Sequence, residues 1–168
     1  TPASAVYMAE LFADILPPGV FNVVCGDRDT GAAVVSHPIP EMVSITGSIA
    51  AGKAVARAAA DTLKRWHLEL GGKAPVIVFD DADIQSVVEG VRTFGYYNAG
   101  QDCTAACRIY AGAKVYDRLV ADLSSAVSTI KTGPQTAKGV EMGPLISAEQ
   151  RDRVAGFVRR AQRQKHIE

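Results

Sequence analysis

The sequence is poor in cysteine and histidine. Its three cysteines, Cys25, Cys103 and Cys107, form no Cys-x-x-Cys pair, and only three histidines accompany them. Two thiols spaced by one helical turn do not complete the four ligands of a structural zinc ion, so we expect no metal site. The same sparse set favours one reactive thiol and two structural thiols over a disulfide.

The sequence also lacks an excess of charge and a long apolar run. Lys and Arg number 18, Asp and Glu number 18, and no basic block is present that could neutralise phosphates. We therefore expect no nucleic-acid partner. The apolar runs are short and broken by Gly, Pro or charge, and the N-terminus does not resemble a secretory signal. We expect no membrane span and a cytoplasmic location.

Short apolar strands alternate with helices along the 168 residues, which predicts an α/β fold. The predicted strands are residues 20–25, 42–46, 63–70, 74–79 and 108–111. The predicted helices are residues 3–16, 30–36, 49–61, 84–98, 116–130 and a last helix that opens at the capping box of Ser147. We place a domain boundary between residues 70 and 71.

The helix patterns also predict buried faces. In the helix over residues 84–98 the inward face includes Val88, Val91 and Phe94. In the helix over residues 116–130 it includes Leu119 and Val120, and in the last helix it includes Phe157. The acidic run 80–83 precedes the first of these helices, and we interpret it as a helix cap and not as a metal site.

Cys103 lies shortly after Gly100 in the small, polar stretch of residues 98–108. A thiolate attacks carbonyl carbon well, and a glycine lets the backbone approach a substrate so that a main-chain N–H can face the developing oxyanion. Taken alone, the stretch fits a small buried cysteine better than a nucleophile.

Glu69 lies at the end of an apolar strand and is followed by the pair Gly71–Gly72. Paired glycines after a strand allow a sharp reversal or the close approach of a ligand, and a carboxylate at such a place can act as a general base. Taken alone, the position fits an exposed strand-end glutamate equally well.

Ser48 lies between the predicted strand 42–46 and an alanine-rich helix. A serine there caps the helix, whose unpaired N–H groups and dipole favour a phosphate oxygen, and Gly47 and Gly52 leave room for it. Taken alone, an ordinary cap without a ligand is the favoured interpretation. The sequence has no Gly-x-Gly-x-x-Gly, which counts against an ordinary dinucleotide-binding fold.

These stretches together resemble the aldehyde dehydrogenase superfamily. The resemblance rests on Glu-Leu-Gly-Gly-Lys at residues 69–73 and Gly-Gln-Asp-Cys at residues 100–103. Ile-Thr-Gly-Ser at residues 45–48 is similar to the family's cofactor-binding turn, and residues 142–146 resemble its Gly-Pro-Leu segment. Residues 96–108 look most similar to bacterial γ-aminobutyraldehyde dehydrogenases. The likeness covers the whole chain but only the middle of a full-length member, so we expect a fragment.

The resemblance implies an aldehyde dehydrogenase-like fold, with part of a Rossmann-like cofactor domain in residues 1–70 and part of an α/β catalytic domain in residues 71–168. The family binds its cofactor without the glycine fingerprint. The implied cofactor is NAD, with NADP also open, and the implied partners are a small aldehyde and further copies of the chain in a dimer or tetramer.

The resemblance also implies roles for individual residues. Cys103 is the nucleophile, with its own N–H as an oxyanion donor, and Glu69 is the general base that hydrolyses the thioester. The implied cofactor contacts are Gly26, Gly47, Ser48 and Leu70. The implied substrate contacts are Tyr97, Gln101 and Asp102.

Asp102 is an acid beside the nucleophile, where many relatives of the family carry an uncharged residue. Attraction of a cationic amine would explain it, which predicts an ω-aminoaldehyde such as γ-aminobutyraldehyde as the substrate. A solvated or structurally hydrogen-bonded aspartate explains it equally well. Two other functions stay open: a dehydrogenase that passes its thioester to coenzyme A, and an inactive nucleotide-binding fragment. We expect the isolated fragment to be inactive.

Overall fold

The computed structural model describes residues 2–164, and the chain divides into two compact units, Thr1–Leu70 and Gly71–Glu168. Each unit is built on a pair of parallel strands joined through a helix, β1 with β2 and β3 with β4. The predicted α/β class is therefore confirmed. In the part of the chain that the structure describes, no helix is long and apolar enough to cross a membrane.

The first unit contains a strand–helix–strand motif after two shorter helices. Its elements are α1 (Pro2–Phe12), α2 (Arg28–Ser36), β1 (Met42–Gly47), α3 (Ile49–Ala60) and β2 (Arg65–Leu70). The register runs from Met42 opposite Arg65 to Gly47 opposite Leu70. Alternation along the strands separates the sheet faces, so that Val43 is buried while Ser44, His67 and Glu69 are exposed.

The end of α3 is closed by two backbone hydrogen bonds that satisfy its last carbonyls. The N–H of Leu63 donates to the Ala60 carbonyl at 3.2 Å, and the N–H of Lys64 donates to the Ala59 carbonyl at 3.0 Å. Leu63 adopts a left-handed conformation with φ of 55°. This is the geometry of a Schellman cap, which ordinarily has glycine at the left-handed position.

The second unit contains the larger hydrophobic core. Its elements are β3 (Ala74–Val78), α4 (Ile84–Tyr96), a 3₁₀ turn (Tyr97–Gly100), β4 (Ala106–Ala111), α5 (Tyr116–Ser128) and α6 (Ala148–Arg163). Helix α4 packs against α5 and β4. The buried cluster consists of Val78, Ile84, Val88, Val115 and Leu119.

The predicted caps begin their helices. The side chain of Asp83 accepts the N–H of Gln85 at 3.1 Å and the hydroxyl of Ser86 at 2.7 Å, and the bond from Ser86 contributes most to lowering the pKa of Asp83. Ser147 accepts the N–H of Gln150 at 3.2 Å at the start of α6. The acidic run therefore supplies a cap, and among residues 2–164 no cluster of three or more metal-ligating side chains occurs.

The strand predicted for residues 20–25 is wrong. The segment is irregular, and it pairs with no strand among the described residues. A β-branched run becomes a strand only when it has a neighbour to pair with. The helix predicted for residues 3–16 ends at Phe12, where the chain tightens into bonds such as Ala13 N–H to the Glu10 carbonyl, so that Phe12 meets Phe21 edge-to-face at 5.5 Å between ring centroids.

Several predicted inward positions are exposed. Phe94 on α4 is 62% exposed, Val120 on α5 is 47% exposed and Phe157 on α6 is 58% exposed. Helices α1 and α6 contain no buried residue in the described part of the chain. An apolar stripe shows that a face is able to pack, but the stripe alone does not show what lies against it.

Candidate active site

The first unit brings four predicted site residues to one edge of its sheet. Strands β1 and β2 are parallel, and their carboxyl ends are paired at Thr46 with Glu69 and at Gly47 with Leu70. Ser48 follows directly and begins α3. Carboxyl ends of parallel strands are where open α/β sheets bind ligands. The edge therefore groups Gly47, Ser48, Glu69 and Leu70.

The N-terminus of α3 fits an anionic group. The Ser48 side chain accepts the N–H of Ala51 at 3.2 Å, and the first turn contains no acidic residue. The preceding N–H groups of the first turn have no partner within the helix, and they point with the positive end of its dipole toward Ser48. A diphosphate at this end would find both donors and favourable potential.

Gly52 has a packing role that the sequence did not indicate. A side chain at this position would bring its Cβ within 2.7 Å of the Leu70 side chain, and Gly52 is buried. The missing side chain therefore makes room for Leu70 to pack beneath α3, and its role toward a ligand stays a prediction.

Gly26 lies apart from this edge in the sequence, in the irregular segment before α2. It precedes Asp27, the N-cap of α2, whose side chain accepts the N–H of Asp29 at 3.1 Å. A Cβ at Gly26 would fall within 2.0 Å of the Thr30 hydroxyl oxygen. The glycine thus permits close packing on Thr30, and its contact with a cofactor stays a prediction.

Glu69 is joined to two residues that the sequence analysis did not select. Its Oε1 lies 3.0 Å from Nε2 of His67, and Nδ1 of His67 lies 3.2 Å from Oγ of Ser44. The side chains of His67 and Glu69 are each 56% exposed. The spacing of residues 67 and 69 on one strand was a usable signal for His67, because alternate residues share a face. Ser44 could not be found from the sequence alone, because only the register of β1 on β2 places it opposite His67.

Cys103 lies in the second unit on a turn with a left-handed backbone before it. Asn98, Ala99 and Gly100 have φ of 51°, 56° and 72°. The Asn98 side-chain amide donates to the Gln101 carbonyl at 3.0 Å, and the Gln101 amide donates to the Asn98 carbonyl at 3.1 Å. These reciprocal bonds hold the reversal that leads the chain from α4 into the Cys103 turn.

Asp102 is bonded inside the turn. Its Oδ1 accepts the N–H of Thr104 at 2.6 Å and the Thr104 hydroxyl at 2.7 Å. The hydroxyl bond, followed by the backbone bond, lowers the pKa of Asp102, so the carboxylate is ionised at neutral pH. The structurally hydrogen-bonded aspartate is therefore present, and it retains its negative charge next to Cys103.

The Cys103 thiol is exposed, and its backbone is closely packed. A Cβ on Gly72 would lie 3.0 Å from the Cys103 carbonyl oxygen, and a Cβ on Gly95 would lie 3.1 Å from the Ala106 carbonyl oxygen. Ala105 is buried at 5% exposure. Close approach on both sides fixes the turn, while the thiol itself faces solvent.

Tyr97 begins the 3₁₀ turn and is 44% exposed. It lines a cavity of about 290 Å³ together with Arg92, Tyr96, Glu141 and Met142. Nη2 of Arg92 lies 2.7 Å from Oε1 of Glu141, and this hydrogen bond is the main cause that lowers the pKa of Glu141. The charges in the cavity are thus paired with each other, and the substrate contact of Tyr97 stays a prediction.

Cys25 and Cys107 are free and exposed, like Cys103. The prediction of two structural thiols is wrong in the sense of buried core residues. The sulfur of Cys107 makes one weak contact, 4.0 Å from the Ala74 carbonyl oxygen. A segment without strand pairing leaves Cys25 in solvent, and the outward position on β4 leaves Cys107 there.

Comparison with known proteins decides the family. The model of the aldehyde dehydrogenase family matches residues 1–167. The chain belongs to the aldehyde dehydrogenase family. Betaine aldehyde dehydrogenase of Sinorhizobium fredii is 41% identical over 159 residues, which are 94% of this chain and 33% of the relative. Betaine aldehyde dehydrogenase 1 of Rhizobium meliloti is 42% identical with the same coverage. The chain spans about a third of the length of these relatives.

Solved structures of aldehyde dehydrogenases share the fold. Lactaldehyde dehydrogenase of Escherichia coli superposes with a TM-score of 0.93 at 39% identity, over 98% of this chain and 35% of that one. An NAD⁺ complex of aldehyde dehydrogenase from Bacillus cereus has a TM-score of 0.94 at 37% identity, over 98% of this chain and 34% of that one. A Mycobacterium tuberculosis aldehyde dehydrogenase complexed with NAD⁺ has a TM-score of 0.94 at 40% identity, over 98% of this chain and 34% of that one. The aldehyde dehydrogenase-like fold is thereby confirmed.

Proposed function

We propose that the protein containing this chain is an NAD-dependent aldehyde dehydrogenase that oxidises an aldehyde bearing a cationic nitrogen to the carboxylic acid. One observation carries the proposal: in a chain of this family, an exposed thiol at Cys103 lies on a turn fixed by close packing and side-chain bonds. A nucleophile on a fixed support meets a bound carbonyl carbon in a reproducible geometry.

Cys103 carries the covalent step in this mechanism. Its thiolate adds to the aldehyde carbon, forming the C–S bond and a tetrahedral oxyanion. The backbone N–H of Cys103 stabilises that oxyanion as one donor. Loss of hydride from the same carbon converts the adduct into a thioester, so the aldehyde carbon is oxidised by two electrons.

Gly47, Ser48 and Leu70 would hold the cofactor at the carboxyl edge of β1 and β2. The fit rests on the first turn of α3, where N–H groups beyond the Ser48 cap face outward without an acidic residue nearby. NAD, when bound, supplies the acceptor for the hydride. We propose NAD over NADP because NAD⁺ is the cofactor named for two of the structural neighbours.

Glu69 acts as the general base in the last step. Its carboxylate removes a proton from water as the water oxygen attacks the thioester carbon, and the sulfur of Cys103 leaves as the acid forms. This role separates the proposal from transfer of the thioester to coenzyme A, a reaction that needs no base to activate water.

Asp102 supports a cationic substrate. Its carboxylate is held ionised by two bonds from Thr104, so a negative charge persists beside the nucleophile. The proposed substrates are ω-aminoaldehydes such as γ-aminobutyraldehyde. Two relatives of the chain are named for betaine aldehyde, which also carries a positive nitrogen. A charge that attracts the substrate offsets the repulsion it imposes on a thiolate.

The nucleophile is tested with the complete protein, NAD and γ-aminobutyraldehyde, by following NADH formation. Cys103→Ala is expected to lower kcat by at least about 10³-fold, because no covalent adduct forms. Cys107→Ala, another exposed thiol four positions along the chain, is the matched control and keeps parental activity. Activity that survives in Cys103→Ala contradicts the proposal. Formation of acyl-CoA on addition of coenzyme A favours the dehydrogenase that passes its thioester to coenzyme A.

The role of Asp102 is tested by substrate competition. Asp102→Asn keeps an oxygen that can accept both Thr104 bonds and removes only the charge. We expect kcat/KM for γ-aminobutyraldehyde and betaine aldehyde to fall about tenfold relative to butyraldehyde, which corresponds to about 1.4 kcal/mol of lost attraction. An unchanged ratio would remove Asp102 from substrate selection.

A further inference from the structure

Ser44, His67 and Glu69 form a continuous series of polar contacts on the exposed face of the β1–β2 sheet. His67 and Glu69 share a face because they alternate along β2, about 6.6 Å apart in the strand direction. Ser44 lies directly opposite His67 in the register. The two contacts, 3.2 Å from Ser44 Oγ to His67 Nδ1 and 3.0 Å from His67 Nε2 to Glu69 Oε1, cross from β1 to β2 and then follow β2.

The chemistry of these groups determines which ring nitrogen of His67 must carry a hydrogen. An ionised carboxylate only accepts hydrogen bonds, so the ring nitrogen that faces Glu69 must carry a hydrogen. Nε2 therefore faces Oε1 as an N–H, and the Ser44 hydroxyl, which can donate or accept, meets Nδ1. The other tautomer would set two acceptors against each other at 3.0 Å. Glu69 thus requires the hydrogen on Nε2, and the Ser44 hydroxyl gives the ring its second contact at Nδ1.

We propose that His67 is a positioning residue for the general base, and that Ser44 holds the His67 ring through its contact with Nδ1. This inference rests on the proposed function, in which Glu69 activates water. The contact with Nε2 restrains the carboxylate through Oε1 alone and leaves Oε2 to receive the proton of the water. A base held in one orientation spends less of its time in unproductive rotamers.

The exposure of His67 and Glu69 indicates that their contact affects catalysis more than folding stability. Both side chains are 56% exposed, and an exposed pair of this kind contributes little to folding stability. Loss of His67 should therefore change one chemical step without unfolding the protein. Arg65 supplies a matched control, because it lies on the same exposed face of β2, two residues before His67.

The experiment measures the two halves of the reaction separately in the complete protein with NAD and γ-aminobutyraldehyde. The rapid NADH burst reports adduct formation and hydride loss. Acid quenching followed by mass spectrometry of the protein reports the loss of the acyl group from Cys103. The variants are His67→Ala, His67→Gln, Ser44→Ala, Arg65→Ala and Glu69→Gln.

We expect His67→Ala to slow loss of the acyl group about tenfold, while the burst rate and amplitude stay within about twofold of the parent, since general-base catalysis contributes about 10² to 10⁴ and orientation is a part of it. His67→Gln supplies an amide N–H for Glu69 and should recover most of the rate. Ser44→Ala should slow the step about threefold because the ring loses one of its two contacts, and Arg65→Ala should leave both halves unchanged.

Three results would overturn the positioning role: hydrolysis in His67→Ala as fast as in Arg65→Ala, equal losses in burst and hydrolysis, or no recovery in His67→Gln. Parental hydrolysis in Ser44→Ala overturns the role of Ser44. Failure of the proposed function has a different signature. The parent then forms no NADH, or Glu69→Gln hydrolyses its acyl group as fast as the parent whatever residue occupies position 67.

Discussion

At the scale of residues, the Cys103 turn depends on backbone conformations that most side chains avoid. Asn98, Ala99 and Gly100 are all left-handed, and a left-handed alanine costs roughly 1 to 2 kcal/mol. The reciprocal Asn98–Gln101 bonds offset part of this cost. Asparagine and glycine tolerate the conformation, so Ala99 is the residue of the three that the surrounding bonds hold in place.

Thr104 determines the charge of its neighbour Asp102. Because the pKa of Asp102 is below its ordinary value of 3.8, the bonded carboxylate adds stability above that value and loses it as the pH falls through the lower, folded value. Thr104→Val removes the hydroxyl bond, so the pKa of Asp102 should rise toward 3.8. The side-chain carboxyl carbon of Asp102, followed by NMR between pH 2 and pH 6, reports the shift.

Thr104→Ser keeps the hydroxyl and should titrate as the parent does. The urea midpoint of Thr104→Val should fall below that of the parent at pH 7, and the difference should narrow at a pH below the folded pKa of Asp102. Identical titration of Asp102 in the valine and serine variants would show that the hydroxyl bond is unimportant.

The residues that are selected by chemical type were predictable, while their partners were predictable only where the spacing along the chain is short. The sequence alone identifies a cysteine that follows a glycine and a glutamate that precedes two glycines. Thr104, His67 and Gly72 act through contacts to Asp102, Glu69 and the Cys103 carbonyl. The Asp-x-Thr spacing could have indicated the first of these contacts, because aspartate bonds the N–H two residues on. The approach of Gly72 to Cys103 depends on the fold.

At the scale of elements, helix starts were well predicted because a cap is local. Ser48, Asp83 and Ser147 each bond an N–H two or three residues ahead, and each begins the expected helix. Strands depend on a distant partner, which explains why residues 20–25 were assigned wrongly. The end of α3 shows the same limit, since nothing in the composition marks Leu63 as a left-handed cap.

Leu63→Gly is expected to stabilise the protein by about 1 kcal/mol. The leucine is 92% exposed and left-handed, so glycine removes conformational strain and sacrifices little buried surface. Guanidinium denaturation of the complete protein measures the change in the free energy of unfolding. Leu63→Ala is the control, because it shortens the side chain without relieving the backbone, and a gain as large as that of glycine would refute the explanation.

At the scale of the whole molecule, burial is unevenly distributed between the two units. The second unit contains the cluster of Val78, Ile84, Val88, Val115 and Leu119, whereas the buried apolar residues of the first unit are Val43 and Ala59 in the described part of the chain. Large apolar side chains on α1 and α6 are exposed. Periodicity predicted their apolar faces correctly and could not identify their packing partners.

Val88→Ala is expected to destabilise the second unit by about 2 kcal/mol. Val88 is 4% exposed within the cluster, and the substitution removes buried methyl groups and leaves a small cavity. Val120→Ala makes the same chemical change at 47% exposure and should cost less than about 0.5 kcal/mol. Hydrogen exchange of the β3 and β4 amides compares the two variants. Equal losses of protection in Val88→Ala and Val120→Ala would place Val88 outside the cooperative core.

The exposure of all three thiols has a practical consequence for covalent labelling. Cys25, Cys103 and Cys107 are each open to an alkylating reagent, so the number of labels per chain reports accessibility and not reactivity. The nucleophile is identified by kinetics instead: its labelling should be the fastest, and aldehyde should slow it selectively by occupying the same sulfur. A background in which Cys25 and Cys107 are replaced by serine turns that competition into a single-site assay.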